Sequence, residues 1–237
     1  MDKKVAILQS SYIPWKGYFD IINMVDEFIL YDDVQYTKRD WRNRNMIKTG
    51  NGLLWLTIPV KNKGQYFQKI KDTTISDAKW QRKHFQSIIH NYSRATYFNH
   101  LKDYFENLYM KIDERFLSKI NYHFIKSFCK LLGINTRISW SSDYRLVGDK
   151  TERLAELCRQ AGATEYISGP SAKEYINERL FQENGIKLTY MDYTGYPEYN
   201  QLFAPFKHEV SIIDLILNEG PNAKNFMKSF KQKTLTH

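Results

Sequence analysis

Apolar side chains follow two patterns along this chain, and together they predict an α/β fold. Residues 5–9 (VAILQ) and 28–31 (FILY) are short, nearly continuous apolar runs, as expected of strands buried on both faces. Between them Tyr18, Phe19, Ile21, Ile22 and Val25 recur at helical spacing. Strand, helix and strand in so short a stretch make a βαβ unit, which implies parallel pairing and a right-handed crossover. Further extended segments are predicted at 53–60, between Ile70 and Ile75, at 136–140, at Tyr166-Ile167 and at 187–191. Helices are predicted from Ser76-Asp77 to about His90, once or twice within 101–132, and finally over 210–217. Asp149-Lys150-Thr151-Glu152 and Ser171-Ala172-Lys173-Glu174 each pair an oxygen-bearing side chain with an acid three residues on, so both predict a capped helix start. The expected architecture is α/β, a mostly parallel Rossmann-like sheet with flanking helices. It occupies one domain over 1–237, with a mainly helical insertion at about 77–132.

Composition narrows the setting. A mean hydropathy of −0.58 and the lack of any uninterrupted apolar run of membrane-spanning length argue against membrane insertion. Met1-Asp2-Lys3-Lys4 is not followed by the long apolar segment of a secretory signal. Cys129 and Cys158 are too few for a disulfide framework and sit in no activating motif, so buried thiols and a cytoplasmic location are expected. The six histidines, His84, His90, His100, His123, His208 and His237, lack ligand spacing, and no metal is predicted.

Charge changes the picture more. Lys and Arg number 35 against 26 Asp and Glu, a formal charge of +9 that favours anionic partners. Lys224, Lys228, Lys231 and Lys233 read as a solvated helix face and tail. Lys38, Arg39, Arg42, Arg44 and Lys48 differ, because Tyr36, Trp41, Asn43 and Asn45 are interleaved with them. Guanidinium groups grip phosphate bidentately, and aromatic faces stack on bases or sugars.

Three constellations carry candidate chemistry. The loop after the first strand, Gln9 to Tyr18, stands where open α/β sheets bind ligands. Gln9 lies at that edge with Tyr12, Trp15 and Tyr18 beyond it; Lys16 supplies charge, and Gly17 permits close backbone approach. Asp32 and Asp33 end the neighbouring strand, where a carboxylate can hold a hydroxyl or amine or act as a base. The turn Ser168-Gly169-Pro170 before Ser171 and Lys173 offers an anion seat at a helix start, and Lys150 is placed similarly. His84, in WQRKHF, is the candidate histidine base. Neither a Walker pattern nor G-x-G-x-x-G is present.

The run QSSYIPWKGYFDIINMVDEFILYDDVQYTKRDWRNRNMIK, followed by LLWLTIPV, resembles the N-terminal segment of the WbqC-like protein family. WQRKHFQSIIHNYSRATYF, GDKTERLAELC, YISGPSAKEYI and FKHEVSIIDLILNEGP resemble later blocks of it. The matching positions include Gln9, Tyr12, Pro14, Trp15, Gly17, Tyr18, Asp32, Asp33, Asn43, Arg44 and His84, then Lys150, Glu152, Ser168, Gly169, Pro170, Ser171 and Lys173. Ser11 departs, standing where the family pattern has proline. The resemblance implies a place among genes for bacterial O-antigen and other surface polysaccharides, beside enzymes that make unusual amino sugars. A fainter likeness to nucleotidyltransferases fails at its signature, because Tyr18 replaces one histidine and the other is missing.

The expected function is therefore modification of a nucleotide-linked amino sugar, by acyl or aminoacyl transfer to the sugar amine. Asp33 or His84 would be the base, with Asp32 beside them. Arg42, Arg44, Lys150, Lys173 and the helix start at Ser171 would hold the diphosphate, and Trp41 and Asn43 would complete the substrate site. The acyl donor is open, with aminoacyl-tRNA one candidate. A non-catalytic scaffold of polysaccharide assembly, or an RNA-binding protein, is the alternative. The oligomeric state is left open.

Overall fold

The structure is a computed structural model that describes residues 2–233. His237 lies outside the described residues, and side chains are described as far as Lys231. Five parallel strands form the central sheet: β1 (Lys4–Leu8), β2 (Glu27–Leu30), β5 (Arg137–Trp140), β6 (Glu165–Ser168) and β7 (Lys187–Tyr190), in the order β5-β2-β1-β6-β7. Register is fixed by pairs such as Ile7 opposite Ile29 and Val5 opposite Tyr166. The continuous apolar runs are explained by burial of both faces. Ala6, Phe28, Leu30 and Ile167 point into one core cluster, while Val5, Ile7, Ile29 and Tyr166 point into the other. Helix α1 (Lys16–Asn23), α4 (Leu117–Leu132) and α7 (Ile212–Glu219) cover the first face; α5 (Lys150–Gln160) and α6 (Glu178–Glu183) cover the second. This is the expected parallel α/β fold.

Between β2 and β5 the chain adds a hairpin and then helices. Strand β3 (Arg44–Thr49) pairs antiparallel with β4 (Gly52–Thr57), so the run at 53–60 is half of a hairpin lying outside the main sheet. Helices α2 (Trp80–Tyr92), α3 (Phe98–Met110) and α4 follow. Their apolar stripes, including Trp80, Phe105 and Phe124, join the same core cluster as Phe19 and Phe28. Helix α4 ends at Gly133, whose φ of +66° and whose neighbour's Ile134 amide bonding back to the Cys129 carbonyl close the last turn. Among the described residues no helix is long and apolar enough to cross a membrane.

Local differences from the sequence reading have physical causes. The piece between Ile70 and Ile75 contains a 3-10 turn at Ile70–Asp72, because this segment crosses a loop and finds only isolated bridges. Asp77 accepts from the Lys79 amide at 2.8 Å, making a turn that delays α2 to Trp80. Ser171 caps nothing, and residues Pro170–Glu174 form a 3-10 turn. Helix α6 begins later, with Asn177 accepting from the Arg179 amide. The helix at 212–219 is not the last, since α8 (Lys228–Lys233) follows a 3-10 segment.

Asp20 anchors that late helix. Its buried carboxylate accepts from the Lys228 amide at 3.0 Å and the Ser229 amide at 2.9 Å, and also from the hydroxyls of Tyr196 and Ser229. One α1 side chain therefore satisfies the first amides of α8 and holds the 190s loop. Asp20→Ala strands these buried donors. It should cost about 3 kcal/mol of stability by urea unfolding, and a loss within about 0.5 kcal/mol, the range of ordinary surface substitutions, would refute the anchoring role.

Candidate functional site

The strand order places a reversal between β1 and β6. The chain leaves β1 toward β2 and leaves β6 toward β7, in opposite directions across the sheet. Open α/β sheets form their ligand crevice at this switch point, outside the carboxyl ends of the strands. Here a cleft of about 960 Å³ is lined by both loops that the sequence singled out, Gln9 to Tyr18 and Ser168 to Ser171.

The first loop is held rigid from beneath. Asp32 accepts from the Ser10 amide at 2.8 Å and from the Ser118 hydroxyl of α4. Asn121 donates to the Ser10 hydroxyl at 3.0 Å and to the Arg42 carbonyl at 2.9 Å. Asn45 donates to the carbonyls of Tyr12 and Ile13. These bonds hold Ile13 at φ +38°, a strained conformation for a β-branched residue, beside the cleft. Trp15 folds back over Gly17, where an added Cβ would sit 2.3 Å from the indole, and packs on Tyr193 at 5.1 Å. Gly17→Ala must therefore displace Trp15 or the helix start. A changed Trp15 fluorescence with stability lowered by about 1–3 kcal/mol is the expected result; an unchanged spectrum would contradict this packing.

Three cations face the cleft. Arg42 donates to the Ser10 carbonyl at 3.2 Å and lies 3.6 Å from Asp40. Lys150 and Arg153 come from the first turn of α5, with Arg153 also donating to the Gly148 carbonyl at 2.9 Å. A capping box occupies amides at the α5 start: the Asp149 side chain accepts from the Thr151 and Glu152 amides, and the Glu152 side chain accepts from the Asp149 amide. Side-chain charge, not a bare helix end, supplies the attraction for an anion here. Opposing carboxylates are Glu209 and Asp33. Aromatic lining comes from Trp15 packed on Tyr193, with Trp41, Tyr31 and Tyr175.

Asp33 is buried at the cleft wall. It contacts Lys71 at 2.5 Å and Lys69 at 3.7 Å, and accepts from Ser141 at 2.9 Å. Burial alone would push its carboxyl up, but the Lys71 and Ser141 bonds outweigh burial and hold it below the usual carboxylate range. Asp32 has the opposite balance: burial raises it despite its Ser118 and Ser10 donors.

The structure separates other candidates from this cleft. Tyr12 is fully buried, packing on Trp80 and Phe124, with its hydroxyl 2.8 Å from His84 Nδ1. His84 Nε2 lies 3.2 Å from the Thr57 carbonyl, which only accepts, so Nε2 carries the proton and Nδ1 accepts from Tyr12. Burial lowers this histidine to about 4. It is a neutral core residue that does not line the cleft. Lys16 turns the other way, donating to the Pro197 carbonyl over the rings of Tyr196 and Tyr199, and burial lowers it to about 8. Asn43 bonds the Ile58 carbonyl at 2.8 Å, Arg44 covers Trp55 at 4.1 Å, and Lys173 lies over Tyr190 at 5.1 Å. Cys129 and Cys158 are both buried free thiols, pushed up by burial. Arg153, Tyr31, Tyr175 and Tyr193 were not foreseen. Only Arg153 carried a sequence signal, sitting three residues after Lys150 on the same helix face.

Fold and site together define a parallel α/β protein with an aromatic, cation-bearing cleft at its switch point. The chain belongs to the WbqC-like protein family, which matches residues 9–226. It is also similar to the uncharacterized protein Rv1507c of Mycobacterium tuberculosis, at 50% identity over 230 residues, covering 97% of this chain and 100% of that protein. No solved structure matches the chain.

The Asp33 pair has a definite pH signature. A carboxyl depressed in the fold contributes stability above its unfolded value and loses it as pH falls through the lower folded value. Lys71→Met should raise the Asp33 titration midpoint toward the ordinary carboxylate range and weaken the protein at neutral pH relative to acid. Carboxyl-carbon NMR titration checks this, and a midpoint unmoved by the substitution would rule out the pair as the cause.

Proposed function

We propose that the protein binds a nucleotide-linked amino sugar in this cleft and transfers an acyl or aminoacyl group to the sugar amine, as a step in bacterial surface-polysaccharide biosynthesis. The observation that carries the reading is the convergence of Arg42, Lys150 and Arg153 with aromatic walls at the β1/β6 switch point. Cations at this spot suit a diphosphate, and Trp15, Tyr193 or Trp41 suit the faces of a base and a sugar. The polysaccharide setting is what the resemblance to the WbqC-like family implies, and it belongs to the proposal.

The cleft refines the roles. Asp33, ionised and tied to Lys71, suits holding the substrate amine better than storing its proton, because a depressed carboxyl is a weak base near neutral pH. In the transfer, the amine nitrogen attacks the donor carbonyl carbon, the bond from that carbon to the donor sulfur or ribose oxygen breaks, and the proton lost from the nitrogen passes through water to the departing atom, which leaves as a thiol or hydroxyl. His84 has no part in this scheme, since its nitrogens are occupied in the core. Asp32 serves as the brace of the first loop.

A panel of dTDP-, UDP- and GDP-linked amino sugars at millimolar concentration tests binding. At about a hundredfold excess over Kd the fold gains about 2.7 kcal/mol, which raises Tm by about 5–10 °C in a chain of this size. Arg153→Ala and Arg42→Ala should each remove most of that shift. No shift with any sugar would refute the binding reading. Nucleotide-sugar pools in a deletion strain test the chemistry: an accumulating unacylated amino sugar is expected, and an unchanged pool would overturn the transfer step.

A further inference from the structure

The segment 34–71, from the end of β2 through the hairpin, holds nine lysines and arginines and a single carboxylate, Asp40. Its net +8 nearly equals the +9 of the whole chain. It also carries six large exposed apolar side chains: Phe67 at 87%, Tyr66 at 70%, Trp41 at 42%, Leu53 and Leu54 at 40%, and Trp55 at 39%.

These features are linked in space. Trp41 packs on Trp55 with centroids 5.4 Å apart, and the Arg44 guanidinium lies 4.1 Å over the Trp55 ring. Arg44 also donates to the Arg39 carbonyl. Lys38 lies 5.6 Å from the Tyr66 ring, and Gln35 donates to the Tyr66 carbonyl at 2.6 Å. Leu53 and Leu54 follow directly on the hairpin turn. Lys38, Arg39, Lys61, Lys63 and Lys69 are exposed around these rings. Trp41 and Gln35 also line the cleft, so the patch is continuous with its mouth.

We infer that this face docks on an anionic lipid bilayer, presenting the cleft mouth to the headgroup layer. Exposed Trp, Tyr and Phe beside lysines form the pattern that settles at a membrane interface, and basic residues supply the attraction to anionic headgroups. Rings with arginines also suit single-stranded RNA. Leu53 and Leu54 decide between them, because an aliphatic side chain offers a base no stacking face but gains from entering the acyl boundary. Docking needs no spanning helix. It depends on this surface alone, so it stands or falls separately from the nucleotide-sugar reading.

Co-sedimentation with phosphatidylcholine vesicles, with and without one-third phosphatidylglycerol, tests it. Binding to the anionic vesicles should exceed binding to neutral ones by about tenfold or more and fall as salt rises. Leu53→Ser with Phe67→Ser should cut it about tenfold, as should Lys61→Glu with Lys63→Glu. Both double variants should keep the wild-type Tm and far-UV circular dichroism, which shows that the fold is intact. Equal partition into neutral and anionic vesicles would overturn the inference. So would undiminished binding by both variants, or binding of a single-stranded RNA oligonucleotide with the vesicles ignored.

Discussion

The reversal of chain direction between β1 and β6 is the constraint on which the rest of the molecule depends. Parallel strands need crossovers, and crossovers that leave two neighbouring strands toward opposite edges cannot fill the space above those strands. A crevice therefore follows from topology before any side chain is chosen. The choice of side chains then decides what the crevice holds. Here Arg42 enters from the segment before β3, Lys150 and Arg153 from α5, and Asp33 from the end of β2. Elements remote in sequence meet because the sheet order brings their ends together.

Keeping such a crevice open requires buried polar support, and three carboxylates provide it. Asp32 fixes the first loop, Asp20 ties α1 to α8, and Asp214 accepts from Tyr92 and Tyr199 at 2.7 Å each. A buried carboxylate without donors would be costly, whereas one that satisfies several donors fixes a unique arrangement. Asp214 belongs to α7, whose Ile212 amide bonds the Pro14 carbonyl at 2.9 Å. The late helix thus reaches the same loop that Asp32 holds from the other side. The strain at Ile13 persists because bonds on both flanks over-determine it.

Much of the fold was legible because burial on both faces writes continuous apolar runs, and helices write a period. VAILQ and FILY became β1 and β2, and the Asp149 capping box formed as its spacing required. Loops write neither signal. Residue type and place in the chain mark Tyr12, Lys16 and His84 as able to do chemistry but do not say which side of the chain they face. In the fold all three turn inward: Tyr12 to an aromatic cluster, His84 to Tyr12, and Lys16 to the rings of Tyr196 and Tyr199. The Ser171 box failed for a related reason, since Pro170 and the short crossover favour a 3-10 turn over a full helix start. Tyr193 was invisible because nothing near it in sequence marks a loop that will return to Trp15.

Asp32 and Asp33 show how far a local pattern can go and where it stops. Consecutive residues at a strand end point to opposite sides, so a pair of acids there divides between interior and cleft. The interior member, Asp32, is raised by burial and spends its oxygens on Ser10 and Ser118. The cleft member, Asp33, is drawn down by Lys71 and Ser141. Neighbouring carboxyls pushed in opposite directions mark a division of labour, here between bracing the loop and presenting a fixed negative charge. The sequence contained the pair, but Lys71 and Ser141 arrive from segments 38 and 108 positions away, and only the folded chain could assign the two roles.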